Sequence, residues 1–317
     1  MTADQDTRVE TFDQLNSFLD KYDRFEGWVY RGHANASWPL LPKLSRTTAV
    51  SEMFTILHEL ERLQSHVASL AEKAEHARSL LPERQPTTTE YPLQEANEVV
   101  EDAREALRTE LVKSEAISLH YWQRYAVRYL SQPPTNDWQW LAIGQHFGLA
   151  TRLLDWTDNP LAAAFFALFE SEPRTDAAIY ALKCEGLVKE QVSLSSLDSV
   201  YLYRPPPMID RIVLQSALFS VMPSPFGPLR SGGKVSVVKA VIPLDARQLL
   251  LRKVVSFGVD NSMLFPDLGG AALHVNFSTE NAELLHLRIT DRLKRLALRR
   301  ESIQAKTKAA LALGLSG

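Results

Sequence analysis

The chain has 317 residues, of which 45% are hydrophobic and 23% are charged, and its formal net charge is −3. This ordinary globular usage fits one large domain with an insertion, or two domains. The charge balance gives no overall basic field that would favour nucleic acid and no field that would trap an acidic substrate, and the single cysteine, Cys184, excludes an internal disulfide or a multi-cysteine metal site.

The sequence also disfavours secreted, membrane-spanning and metal-binding proteins. The first residues lack the basic and apolar regions of a secretory signal, and no run of about 18 apolar residues is present. The eight histidines are scattered without the spacing of a metal site. We therefore expect a soluble, cytoplasmic protein without a metal or a membrane contact.

Residues 1–50 predict the first part of a domain. Phe12, Leu15 and Phe18 recur at helical spacing behind Thr11, a residue type that caps helices, and predict a helix over 10–22. Residues 28–31 predict a short strand, which we expect Gly32 to end.

Residues 51–131 predict a helical insertion. Apolar residues alternate steps of four and three within 56–81 and again within 93–111, which indicates the seam of a coiled coil. The proline-containing stretch between them would be the turn of a long antiparallel hairpin, whose second helix continues until Pro133. Small alanines in the seam favour a self-contained hairpin; the alternative is a surface in 51–111 for self-association or partner docking.

Residues 132–280 predict the main part of the domain. Asp137 would cap a helix that leads into the polar segment 145–159, and Pro160 would open an apolar helix. Further elements are predicted as follows: a strand over 177–182, mixed strand and helix signals over 210–221, a strand over 234–243, a helix capped by Asp245, and a turn over 261–270.

Residues 281–317 predict a basic helical tail, for which a solvated surface is favoured over nucleic-acid contact. Its charged residues are Arg292, Lys294, Arg295, Arg299 and Arg300. Strands and helices interleave without regular βαβ repetition, which predicts an α+β fold with a central mixed or antiparallel sheet flanked by helices.

The polar segment carries the strongest candidates for chemistry. If it is extended, Thr151, Asp155 and Thr157 share one face. Asp155 is the best candidate for a catalytic carboxylate that stabilises a positively charged sugar centre, with helix capping as the alternative. His146 fits acid–base work or ligand contact near neutral pH, or it holds the following turn.

Two arginines have alternative interpretations. Arg31, beside Gly32, fits the bidentate binding of a pyrophosphate, and equally fits a structural ion pair with Asp155 or another carboxylate. Arg152 fits ligand binding, or a pair with Asp155 or Asp158 that braces the turn.

Several blocks of the sequence resemble one family. They are Tyr30-Arg31-Gly32, the helix at 110–129, the block QHFGLATRLLDWT with the following Asn159-Pro160 and AFFA, Arg211 with QSALFS, and LFPDLGG. Over about residues 10–275, interrupted by the hairpin, the chain resembles the FRG domain, which is named for an aromatic-Arg-Gly motif. That family occurs mostly in bacteria and phages, often near mobile or defence genes.

The FRG pattern is similar to ADP-ribosyltransferases, whose first strand carries an aromatic-Arg-Gly motif with an arginine that contacts NAD. The resemblance implies a related fold, NAD as substrate, and a Thr-bearing strand that runs into a helix with small and aromatic residues. The usual catalytic glutamate has no clear match, and Gln215 lies in its general region.

The resemblance also implies the roles of individual residues. The implied catalytic residues are Arg31, His146, Asp155 and Gln215. The implied NAD-contacting residues are Tyr30, Arg31, Gly32, Gln145, His146, Thr151, Arg152, Trp156, Thr157 and Asn159. The implied function is transfer of ADP-ribose to a protein or nucleic-acid acceptor, or NAD cleavage, by a bacterial toxin or antiphage effector; the alternative is a non-enzymatic module that recognises a nucleotide or a partner.

Overall fold

The computed structural model describes residues 6–80, 90–169, 174–184, 186–223, 227–280 and 283–312. Contacts divide the chain into two compact units, Met1–Phe257 and Gly258–Gly317. Within the described ranges, no helix is long and apolar enough to cross a membrane. The division into the four segments predicted from the sequence (1–50, 51–131, 132–280 and 281–317) stays a prediction.

The first unit contains both helices and strands. In chain order they are β1 (Thr7–Arg8), α1 (Phe12–Lys21), β2 (Val29–His33), α2 (Thr48–Leu80), α3 (Glu90–Ala126), α4 (Asp137–His146), β3 (Leu154–Thr157), α5 (Pro160–Leu168), β4 (Ala177–Lys183), β5 (Tyr201–Tyr203), α6 (Asp210–Leu214), β6 (Ala217–Val221), β7 (Ser236–Ile242) and α7 (Arg247–Ser256).

The seven described strands form one sheet in the order β1-β7-β4-β2-β3-β6-β5. The β1–β7 pair is parallel and the other pairs are antiparallel. The sheet is therefore mixed, which confirms the predicted α+β class.

The sheet has apolar packing on both faces. Alternate residues of the central strands, among them Val29, Trp156 and Tyr180, belong to a buried cluster on one face. On the other face α5 packs against β2, and the buried alanines of α5 permit a close approach.

Gly32 corrects one prediction, because it lies inside β2 rather than at its end. A Cβ atom at this position would lie 2.0 Å from the main-chain oxygen of Ala163 and 2.5 Å from the nitrogen of Ala167, both in α5. The glycine therefore serves the helix–sheet contact and not a turn.

The two long helices α2 and α3 confirm the predicted antiparallel hairpin. Gln64 donates a hydrogen bond to Asn97 (2.7 Å), and Glu61 pairs with Arg104 (2.8 Å), so residues advance along α2 as they recede along α3. The predicted turn lies outside the described residues.

The hairpin seam differs from the predicted one on α2. Leu57 is buried, whereas the predicted seam residues Ile56, Leu63 and Leu70 are exposed. The face of α2 that contacts α3 also carries the polar pairs of Glu61 and Gln64. The spacing of apolar residues alone therefore did not identify this face. Self-association through this arm stays a prediction.

Local capping signals were partly correct. Thr11 caps α1 in a capping box with Gln14, as predicted. Asn136, and not Asp137, caps α4 by accepting a hydrogen bond from the nitrogen of Gln139 (3.0 Å). Asp245 caps no helix, because it lies in a 3-10 turn (Leu244–Ala246) that leads directly into α7.

The second unit is helical where it is described, with α8 (Asn261–Leu264), α9 (Leu268–Glu280) and α10 (Glu283–Ala312). The predicted turn over 261–270 is therefore wrong, since it contains α8 and the start of α9. Asp260 caps α8 by accepting hydrogen bonds from the nitrogens of Ser262 and Met263. The predicted helical tail is confirmed over its described part, Glu283–Ala312, and its five named basic residues are exposed.

Candidate functional site

The candidate site lies where two central strands separate. Within the described chain, β2 pairs with β3 only at Tyr30 and Thr157, whereas it pairs with β4 along all five of its residues. Beyond that pair, the side chain of Arg31 connects the two strands. Its Nη1 donates to the main-chain oxygen of Asp155 at 2.7 Å.

A hydrogen-bond network fixes the Asp155 carboxylate. Its Oδ2 lies 3.3 Å from Arg31 Nη1 and accepts a hydrogen bond from Gln145 Nε2 at 3.1 Å. Gln145 is oriented in turn by Thr151, whose hydroxyl donates to Gln145 Oε1 at 2.7 Å. The structure therefore brings together four predicted residues from β2, α4 and β3 with the loop before β3.

The second oxygen of this carboxylate is available. The Asp155 side chain is 51% exposed, whereas the Arg31 side chain is 15% exposed. Asp155 Oδ1 accepts no hydrogen bond from any residue that the structure describes. The site thus presents Oδ1 of Asp155 to a ligand, while the guanidinium of Arg31 and the amide of Gln145 hold Oδ2 and fix the orientation of the carboxylate.

His33 extends the network on the inner side. It follows Arg31 by two residues on β2, so both side chains lie on one sheet face, and Arg31 Nε donates to His33 Nε2 at 2.8 Å. Since arginine can only donate, His33 accepts through an unprotonated nitrogen. Burial, reinforced by the Arg31 charge, lowers the pKa of His33 from 6.5 to about 3.

His146 lies at the end of α4, directly after Gln145. Its Nε2 is buried and has no hydrogen-bond partner among the described residues. Burial and the charge of Arg211 lower the pKa of this imidazole, and Asp155 opposes them. A neutral imidazole at neutral pH is able to accept a proton.

Several predicted site residues lie outside this network. Tyr30 donates its hydroxyl hydrogen bond to the main-chain oxygen of Tyr22, and burial raises its pKa to about 12. Trp156 belongs to the apolar cluster and donates to the Ser220 hydroxyl at 2.9 Å.

Two further residues brace the start of α5. Thr157 donates to the main-chain oxygen of Gln215 at 2.6 Å, which places Gln215 beside β3. Pro160 opens α5, as predicted, and Asn159 rather than Asp155 caps this helix. These contacts position the strand and helix behind Asp155.

Arg152 corrects another prediction, because it pairs with neither Asp155 nor Asp158. Its Nε lies 2.5 Å from Glu115 of α3, and both side chains are about 5% exposed. Asp158 instead pairs with Arg204. The Arg152–Glu115 pair therefore fixes α3 to the polar segment and is inaccessible to a ligand.

The structure adds two arginines that sequence reasoning did not place at the site. Burial is the largest cause that lowers the pKa of Arg31, His33 and His146; the charge of Arg46 adds to it at Arg31 and His33, and the charge of Arg211 adds to it at His146. Arg211 lies in one of the sequence blocks that resemble the FRG domain, whereas Arg46 precedes the hairpin and belongs to no such block. In the described ranges no group of three His, Cys, Asp or Glu residues is arranged to hold a metal ion.

Comparisons with known proteins identify one similarity. No curated protein and no solved structure matches the chain. The family model of the FRG domain matches residues 87–176, a range that contains Gln145, Thr151 and Asp155 but not Arg31. Over these residues the chain is similar to the FRG domain, as its sequence blocks predict.

Proposed function

We propose that the site binds NAD and cleaves its bond between ribose and nicotinamide, with transfer of ADP-ribose to a macromolecule or to water. The observation that carries this proposal is the half-exposed Asp155 carboxylate, held through Oδ2 by Arg31 and Gln145 and available through Oδ1. A fixed anion of this kind stabilises a positive centre that develops in a transition state.

The chemistry needs an anion and a proton acceptor. As the bond from the ribose C1′ to the pyridinium nitrogen breaks, its electron pair leaves with nicotinamide and the sugar becomes positively charged. A hydroxyl or water then forms the new bond to C1′ and gives up its proton. Asp155 faces the sugar in this proposal, and the neutral imidazole of His146, the residue after Gln145, takes the proton.

The cationic side chains would hold the pyrophosphate. Arg31 uses Nε and Nη1 within the protein, and its Nη2 has no hydrogen-bond partner among the described residues. Arg46 and Arg211 add positive charge close to the network. A guanidinium fork binds phosphate oxygens well, so these three residues favour a dinucleotide over a neutral sugar.

The test is nicotinamide release from NAD by the purified protein, with and without bacterial lysate. We expect Asp155→Asn and Arg31→Lys to lower the rate at least about 100-fold, which is the scale of one lost electrostatic contact in a transition state. Asp158→Asn is the matched control, because Asp158 lies three residues away and pairs with Arg204 instead. Equal rates in Asp155→Asn and Asp158→Asn would show that the proposal is wrong.

A second function, recognition without catalysis, is favoured by one observation. Arg31 and Asp155 already form an ion pair with each other, so each charge has a counterion in the protein without a ligand. NAD binding in calorimetry that Arg31→Lys weakens, with no nicotinamide released under any condition, would select this function.

A role as a toxin or antiphage effector is an extension of the proposal. If the site consumes NAD in cells, overexpression should arrest growth, and Asp155→Asn should relieve the arrest at equal protein level. Growth arrest that persists in Asp155→Asn would separate toxicity from this site.

A further inference from the structure

The end of α3 and the turn after it present an exposed aromatic and basic surface, which we call the tyrosine surface. It consists of Tyr121, Arg124, Tyr125, Arg128 and Tyr129. The three tyrosines are 53%, 67% and 74% exposed, whereas most large aromatic side chains in globular proteins are largely buried. Three such rings within nine residues are a patch and not a scattered exposure.

The helix gives this surface a regular spacing. Tyr121 and Tyr125 are four residues apart in α3, so they lie on one helix face about 6 Å apart along the axis. Tyr129 follows in a 3-10 turn (Val127–Tyr129). The Arg128 guanidinium lies 4.7 Å from the Tyr129 ring centroid and donates to its hydroxyl at 2.6 Å, which holds that ring.

The charge of the surface is positive. Residues 116–136 contain no aspartate or glutamate, and they include Arg124 and Arg128, both exposed. Arg124 forms no ion pair or hydrogen bond with any described residue. The preceding acid, Glu115, is buried against Arg152, and Asp137 borders the surface through a 3.3 Å hydrogen bond from Gln123.

We propose that the tyrosine surface binds single-stranded nucleic acid. Exposed rings interleaved with arginines are the chemistry that unpaired bases and phosphates need, since bases stack on aromatic side chains and phosphates attract guanidinium groups. A duplex hides its base faces, so the tyrosines would contribute little to binding it. Binding of single-stranded nucleic acid at this surface does not depend on the NAD chemistry proposed above, and it is tested without NAD.

The helix that carries this surface packs against α4. Trp122, next to Tyr121, has its ring centroid 6.4 Å from that of Phe147, and the Phe147 ring lies edge to face with His146 at 5.8 Å.

The experiment is fluorescence anisotropy of labelled oligo(dT) and oligo(U) strands of about 16 nucleotides, with a duplex of equal length as a third arm. We expect the strands to bind more tightly than the duplex, and their relative affinities to show whether DNA or RNA is preferred. Tyr121→Ala with Tyr125→Ala should weaken strand binding at least about 10-fold. If two phosphates are neutralised, affinity should fall about 7-fold between about 50 and about 200 mM salt.

Two matched variants keep the test specific. Tyr125→Phe should retain binding, because stacking needs the ring and not the hydroxyl. Phe25→Ala should also retain binding. Phe25 is 83% exposed and lies under the guanidinium of Arg24, so it is an aromatic and basic pair like that of Tyr129 and Arg128 but outside the tyrosine surface. Circular dichroism establishes that each variant is folded.

Three results would overturn the proposal. The first is that the single-stranded oligonucleotides do not bind at about 50 mM salt. The second is that the tyrosine variant and the Phe25 variant lose binding equally. The third is that the duplex binds as tightly as the single strands. Concentration-dependent self-association that the tyrosine variant abolishes, without strand binding, would instead assign the surface to a second copy of the chain.

Discussion

Arg31 Nη1 lies 2.7 Å from the main-chain oxygen of Asp155 and 3.3 Å from its carboxylate, although 124 residues separate the two in sequence. One guanidinium thus connects β2 to β3 where their main-chain pairing stops, and it orients the half-exposed acid at the same time. The stability of this region and the direction of the acid depend on the same side chain.

Arg31→Lys should therefore lower the free energy of unfolding by about 2 kcal/mol, because lysine keeps the charge but cannot reach His33 and Asp155 together with a planar fork. Urea unfolding measures the change. Arg46→Lys, at an exposed position close by, should alter stability by less than about 0.5 kcal/mol. Similar losses in both variants would contradict the bridging role.

Gly32→Ala should destabilise the fold by more than about 3 kcal/mol or prevent folding. The new methyl group would overlap the main chain of α5, which cannot move away without leaving the sheet. Gly232→Ala is the control, because nothing lies within 4 Å of its added Cβ. Thermal unfolding of the two variants compares them, and a Gly32→Ala protein as stable as Gly232→Ala would be inconsistent with the α5 contact.

Glu115→Gln should cost about 3 kcal/mol, since it leaves the buried Arg152 charge without a counterion. Glu110→Gln, which removes one partner of the exposed Lys113 pair on the same helix, should cost less than about 1 kcal/mol. Chemical denaturation gives both values. If the two losses match, the Glu115–Arg152 pair is not the constraint that we describe.

The stability of the fold should also depend on His33 in acid. Its pKa is about 3 when folded and near 6.5 when unfolded, so the unfolded chain binds the proton first as the pH falls. The stabilising contribution of neutral His33 is thus complete above about pH 6.5 and is lost progressively toward pH 3. His33→Gln, whose amide oxygen can still accept from Arg31, should show a shallower loss over that range.

Urea unfolding at a series of pH values measures this dependence. His120→Gln, at an exposed position on α3, controls for the removal of a histidine. A pH dependence of His33→Gln as steep as that of the unaltered protein would show that His33 does not contribute.

The hairpin and the helix starts show how far local patterns reach. The 3.5-residue repeat predicted two long helices, and Thr11 and Pro160 identified two helix starts, because caps and first-turn residues act within their own helix. The exposed Ile56 shows the limit of such patterns. Which side of α2 faces α3 depends on polar pairs such as Gln64 with Asn97, which no periodicity of apolar residues contains.

Sequence by itself determined the α+β class, the polar segment that ends in a buried helix, and the choice of Arg31 and Asp155 as candidates. Only the tertiary structure decided which of these polar groups meet: Arg31 with Asp155, and Arg152 with Glu115. The reason is physical, since capping and periodicity act within a few turns of chain, whereas ion pairs between β2 and β3 or α3 and the polar segment depend on strand order and helix packing. Charge and residue type are compatible with several pairings, and packing selects one.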